Sequence, residues 1–353
     1  MQAVACGELG CAQVEFHRDR AQEVDQPHGR GVVIAHSTTI SPNEILGQQD
    51  ESRGASVSAS HDFFAAYDTL LARWPAGTTE IDVPTPYGTT RVHAYGAAEG
   101  TPLVLLHGGG STGAVWFANA AALGAHHRVL AVDILGDAGR SVRAGRPLRT
   151  TADLTAWLDA VLDGLDVSRA HLLGHSYGAW LALTYALHAP ERVDRLVLLD
   201  PTQCFAGYRP GFLLRSLLLL VRPRAARALG YLDHETAGTD TDPDWKRLFA
   251  LAVSDVPHRR LVVGRRPDPG ALRAPLMVLL AGRSGAHDPG KVAARARAAV
   301  TGARIETLPH LTHYALPTAT PAATNRLITE FLTSVEGPSQ SPGRMRGPGD
   351  RPS

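Results

Sequence analysis

Apolar positions along this chain follow two spacings that take turns. Short continuous runs read as buried strands: 102-PLVLLH-107, 128-RVLAVD-133, 170-AHLLGH-175, 195-RLVLLD-200, 275-PLMVLLAG-282 and 303-ARIETLP-309. In between, apolar residues return at helical spacing over 112–123, 152–165, 177–189, 289–300 and 321–335. Ahead of them, 61–74 reads as a helix, and 79-TEIDVPTPYGTTRVHAYG-96 as two strands around a Pro-Tyr-Gly turn. Continuous apolar strands alternating with helices predict an α/β fold: a mostly parallel sheet covered by helices on both faces. One stretch, 201–274, interrupts the alternation with helical pieces and Pro/Asp-rich loops. It is expected to form a lid over the carboxyl ends of the strands, where open α/β sheets bind ligands.

The two ends carry no such period. Residues 1–60 and 337–353 are poor in large hydrophobes and are expected to be a disordered extension and tail around a domain at 61–336. The formal net charge is +1, which leaves no electrostatic footprint for nucleic acid or an anionic membrane. Cys6, Cys11 and Cys204 form neither a disulfide framework nor a zinc spacing, so no metal is expected. The most apolar stretch, 212-FLLRSLLLLV-221, is too short to span a bilayer and contains Arg215. No basic, apolar leader opens the chain, and the expected location is the cytoplasm. Oligomeric state is not legible in the sequence.

Candidate chemistry concentrates at 172-LLGHSYGAWLALTYALHAP-190. Gly174-x-Ser176-x-Gly178 between a strand and a helix is the pattern of a nucleophile elbow. The serine there takes a strained backbone, and the residues two away must be small because strand and helix crowd together. A serine needs a base, and in such folds the order is serine, acid, histidine. The loop after the last strand, 307-TLPHLTHYALP-317, offers His310 and His313. His313 is the better base, because it has the reach to return over the sheet; His310 reads as a solvated loop residue. Backbone N–H groups for a developing oxyanion are expected from Tyr177 and from Gly109 in 107-HGGGSTG-113.

These pieces, with 133-DILGDAGRS-141, resemble the α/β-hydrolase fold superfamily over most of 79–335. The resemblance implies an eight-stranded mostly parallel sheet, a helical lid after the strand at 195–200, and a serine hydrolase cleaving esters, thioesters or lactone-type bonds. It is carboxylesterase- or lipase-like and implies no cofactor. Two departures stand out. Thr312 replaces the glycine that commonly precedes the histidine. The usual acid position, three residues past Gly282, is Gly285. Two aspartates are available instead. Asp288 lies in the same loop, though Asp288-Pro289 also reads as a helix N-cap. Asp200 ends the strand at 195–200, where subfamilies resembling haloalkane dehalogenases place their acid. Asp288 is slightly preferred.

Two other readings compete. Gly108-x-Gly110-x-x-Gly113 with Asp133 also matches a dinucleotide fingerprint, but that leaves the elbow and His313 unexplained. The missing acid at Gly285 motivates a hydrolase-fold protein with a weakened triad that binds a ligand or guides a non-hydrolytic step. The expected partner is a medium-sized, largely apolar small-molecule acyl substrate, suggested by the apolar 212–221 and the basic 258-HRRLVVGRR-266.

Overall fold

The structure is a computed structural model that describes residues 61–221, 223–256 and 261–334. The extension at 1–60 and the tail at 337–353 lie outside the described residues. Eight strands form one continuous path: β1 (Thr79–Thr85), β2 (Gly88–Tyr95), β4 (Arg128–Val132), β3 (Pro102–Leu106), β6 (Ala170–His175), β7 (Val193–Leu199), β8 (Leu276–Ala281) and β9 (Arg304–Leu308). The β1–β2 and β2–β4 pairs are antiparallel, and every later pair on the path is parallel. A ninth strand, β5 (Val142–Arg143), pairs with β2 off the path. Two residues carry no alternation, so the sequence does not predict it.

Alternate strand residues feed opposite faces, as the pleat requires. Val104, Leu106, Leu196, Leu198 and Val278 enter one core; Leu103, Leu105, Val197, Leu199 and Met277 enter the other. Helices α3 (Thr151–Gly164), α4 (Tyr177–His188) and α8 (Pro289–Ala299) cover the first face through Trp157, Leu181 and Val292. Helix α1 (61–71), α2 (Ala120–Gly124) and α9 (Pro321–Thr333) cover the second through Tyr67, Leu123 and Ile328. All six strands from β3 to β8, apart from the two-residue β5 and the start of β7, are therefore almost wholly buried. Each fully buried Leu or Val contributes roughly 1.5–3 kcal/mol, and that burial holds the strand ends in a fixed register.

Between β7 and β8 the chain leaves the sheet and forms α5 (Pro210–Val221), α6 (Ala225–Glu235) and α7 (Pro243–Ser254). Phe212, Leu219, Tyr231, Leu232, Trp245 and Phe249 pack inward on the second core. Leu213, Leu214, Leu217, Leu218 and Val221 face outward and are more than half exposed. No helix among the described residues is long and apolar enough to cross a membrane.

Candidate active site

The carboxyl ends of β3, β6, β7 and β9 place the candidate side chains together. Ser176 directly follows β6 and adopts φ 53°, ψ −111°. That left-handed backbone is strained for a residue with a Cβ. The flanking glycines are what make it feasible. A Cβ on Gly174 would stand 2.2 Å from the Gly178 carbonyl oxygen, and one on Gly178 would stand 2.1 Å from that of Leu106. Neither contact is possible, so the elbow requires glycine at both positions.

Ser176 Oγ lies 2.9 Å from His313 Nε2. His313 Nδ1 lies 2.6 Å from Asp200 Oδ2. Ser176 and Asp200 are also tied through the backbone. Ser176 N–H donates to the Leu199 carbonyl at 3.0 Å, and Asp200 N–H donates to that of Leu279 at 2.8 Å. Asp200 itself has φ 40°. Its carboxylate is fully buried and accepts from Ala281 N–H at 3.0 Å and from the Ser284 hydroxyl at 2.6 Å. Burial alone would raise this carboxyl, yet the charge of neighbouring His287 and the hydrogen bond from His313 hold it below the ordinary carboxylate range.

The structure separates the two aspartates. Asp200, not the preferred Asp288, meets His313. Asp288 is exposed and caps α8, accepting the Lys291 N–H at 2.9 Å. Its Pro289 is the first residue of that helix. Gly285 brings no side chain to the site, and a Cβ there would come 2.3 Å from Oε2 of Glu235, a buried carboxylate bridged to Arg215. The gap that motivates a weakened triad is thus accompanied by a carboxylate one strand away. His310 is exposed.

Gly109 and Tyr177 are neighbours, with a Cβ on Gly109 falling 3.7 Å from that of Tyr177. Tyr177 is the first residue of α4, where backbone N–H groups have no intrahelical acceptor. The glycine loop around Gly109 is pinned by Gly110 N–H on Asp137 Oδ2 at 2.8 Å and Gly113 N–H on Asp133 Oδ1 at 2.6 Å. Asp133 also accepts from Arg140 N–H at 2.7 Å and the Tyr67 hydroxyl at 2.8 Å. It is buried and committed to holding the loop, which removes it from any ribose-binding role.

His175 lies beside His313, with ring centroids 5.0 Å apart. Its Nε2–H donates to the His313 carbonyl at 3.0 Å, which fixes the histidine loop against β6. Burial, then the nearby His313, pushes the His175 imidazole down to about 3, so it stays neutral. His287 is the residue that sequence reasoning missed. It lies one position before Asp288, is buried, and brings Nε2 to 3.3 Å from Asp200 Oδ1. Asp200, His287 and His313 are close enough to hold a cation. Both ring nitrogens of His313 are already engaged with Ser176 and Asp200, so we assign no metal ligands here.

The inserted helices roof this site. Phe212 stacks edge-on to His313 at 5.8 Å, and Tyr314 does so at 5.0 Å. The Tyr314 hydroxyl meets that of Tyr231 on α6 at 3.0 Å. The space above Ser176, bounded by Gly109, Val115, Trp245, Phe249 and Tyr314, is about 20 Å³. That is room for about one water. A larger surface groove, about 710 Å³ beside Arg73, Phe117 and Asp242, contains none of these groups.

Such a fold, with a serine on a strained strand–helix turn facing a histidine and a buried aspartate, has the architecture of a serine hydrolase. The sequence matches the alpha/beta hydrolase fold family over residues 101–237. It is 31% identical over 205 residues to 2-hydroxymuconate semialdehyde hydrolase of Pseudomonas sp. (strain CF600), spanning 52% of this chain and 69% of that one. It is 37% identical over 162 residues to carboxylesterase YbfK of Bacillus subtilis (strain 168). That match takes in 46% of this chain and 54% of the relative, about half its length. The crystal structure of carboxylesterase CesB (YbfK) superposes with a TM-score of 0.73 at 27% identity, covering 78% of this chain and 99% of that one. The chain belongs to the α/β-hydrolase fold family.

Proposed function

We infer that this protein is an ester-hydrolysing serine hydrolase that acts through Ser176, His313 and Asp200. One observation carries the residue assignment: an unbroken relay from Ser176 Oγ to His313 Nε2 (2.9 Å) and from His313 Nδ1 to Asp200 Oδ2 (2.6 Å). The carboxylesterase name of YbfK supports the bond type. Ser176 Oγ attacks the ester carbonyl as His313 Nε2 takes its proton. The N–H groups of Gly109 and Tyr177 receive the developing oxyanion, which an N-terminal helix dipole also favours. Collapse of the tetrahedral intermediate expels the alcohol, which takes the proton from His313. Water then attacks the acyl-serine with His313 as base, and the carboxylic acid leaves. Asp200 orients His313 and stabilises the imidazolium without itself taking a proton.

Trp245, Phe249, Tyr314 and Val115 around Ser176 favour a small ester with a largely apolar acyl or alcohol group. The insertion over 201–274 works as a lid, its Trp245 and Phe249 lying over the space above Ser176. A fluorophosphonate probe followed by peptide mass spectrometry tests the reading. The adduct is expected on Ser176, and both Ser176→Ala and His313→Ala are expected to lose about 10³-fold or more of p-nitrophenyl ester turnover. A label on another residue, or near-normal turnover in either variant, overturns it.

A further inference from the structure

Asp200 faces two imidazoles rather than one. His313 Nδ1 meets Oδ2 at 2.6 Å, and His287 Nε2 stands 3.3 Å from Oδ1. The rings are 6.4 Å apart at 82° to one another. Both histidine side chains are 1% exposed and the carboxylate is fully buried. The His287 ring has no well-aligned hydrogen-bond partner, and its closest polar neighbour is the Asp200 carboxylate, which acts on it through charge and close approach. The mechanism above uses His313 and leaves His287 without a task. Resting on that mechanism, we propose that His287 is a positioning residue that acts on His313 through Asp200, dividing the carboxylate's charge between two imidazoles and so holding down the basicity of His313.

The physics follows from sharing. One buried carboxylate favours the first proton on the pair of imidazoles and resists the second, because the second adds like charge within the same dry site. The group that protonates first therefore lowers the proton affinity of the other. Burial alone would depress His287, but Asp200, whose carboxylate oxygen stands 3.3 Å away, raises it above the ordinary histidine value.

The surrounding groups leave this pair as the local switch. His175, beside His313, is neutral near pH 7. His107 acts electrostatically on His175, one ring further off. Burial raises Tyr314 and Tyr231, which face His313 and Glu235, and keeps both neutral. Glu235, against Gly285, is matched by Arg215. Arg209 bonds the Ala286 carbonyl through its backbone N–H, and Asp288 is held ionised by its cap. The Ser284 hydroxyl and Ala281 N–H hold Asp200 in place without His287. Replacing His287 should therefore redirect charge without dislodging the acid.

His287→Gln removes the titration and keeps a neutral polar group of similar size. The measurement is kcat/KM against pH for a chromogenic acyl ester, whose acid limb reports the base of the free enzyme. With Asp200 left to His313 alone, the midpoint of that limb is expected to move upward by about half a pH unit or more. A purely structural role would lower the plateau and Tm while leaving the midpoint where it is, and that result overturns the proposal. Should the variant not fold, histidine ¹H–¹⁵N titration of the native protein decides. Coupled titration of His287 and His313 supports the inference, and a His287 that stays neutral to pH 5 sinks it. Asp200→Asn separates the layers. Full turnover there would topple the triad assignment itself, whereas a collapse alongside an unmoved His287→Gln midpoint removes only this inference.

Discussion

Asp200 and Asp288 are the two carboxylates that the sequence offers to His313, and the structure gives them opposite surroundings. Asp200 sits at a strand end in a left-handed backbone, fully buried, with two protein donors besides the histidine. Asp288 sits in solvent, in ordinary extended backbone, and spends one oxygen on a helix amide. Both are held below the ordinary carboxylate range, for different reasons: buried imidazoles for the first, a helix cap for the second. Depressed acidity alone therefore does not mark the aspartate that meets the histidine. Reach and burial do, because only a desolvated carboxylate fixed against Nδ1 can lend its charge to an imidazolium.

The largest effect should come from setting the two side by side. Asp200→Asn is expected to lower p-nitrophenyl ester turnover by about 10⁴-fold with the fold intact, by analogy with the serine-protease template. Asp288→Asn is expected to stay within about twofold of the parent. Equal losses would erase the distinction drawn here. A sharper form asks whether the loop at 282–288 can host an acid at all. Gly285→Asp placed on the Asp200→Asn background is expected to recover nothing, because the new carboxylate would be set against that of buried Glu235. A tenfold recovery would show that the loop and lid yield. The smallest effect is stability. Asp288→Ala should cost roughly 1 kcal/mol through the lost cap, seen as a Tm lower by a few degrees. Because the folded Asp288 carboxyl lies below its unfolded value, its contribution is present above about pH 4 and is lost as pH falls through the lower folded value. The gap between Asp288→Ala and parent should therefore narrow in acid; a gap that stays constant would mean that the cap does not depend on the charge.

The sheet and the elbow were legible because they rest on local signals: continuous apolar runs, a helical period, and glycines spaced about a serine. His313 was legible from order along the chain. The acid was not, and the reason is specific. Asp200 bonds a histidine 113 positions away, whereas the Asp288-Pro289 pair announces its helix within three residues. The local sequence of Asp200 reads equally well as a turn at a strand end. Nothing in 282-GRSGAHDPGK-291 told that Ser284 and His287 would turn back onto a carboxylate from another strand. That contact exists only because β7 and β8 are neighbours in the sheet. The residues by which the expected lid segment meets the site were out of reach for the same reason, since Phe212, Tyr231 and Trp245 do so through packing rather than through spacing.

Where the roofing segment departs and rejoins has a consequence for how such a molecule can change. It leaves at Asp200 and returns into β8, and the Asp200 N–H is bonded to the Leu279 carbonyl of that strand. The two strands are parallel, so one stem starts at the carboxyl end of β7 and the other enters the amino end of β8, both fixed by the rigid sheet. A long segment with fixed ends can grow, shrink or be exchanged at a cost that rises only slowly with its length. The base, with the serine, the histidine and the aspartate, keeps its register throughout. Variation in what the site admits can therefore accumulate in α5–α7 while the bond-breaking apparatus stays still, which makes this junction the natural place to graft a new selectivity.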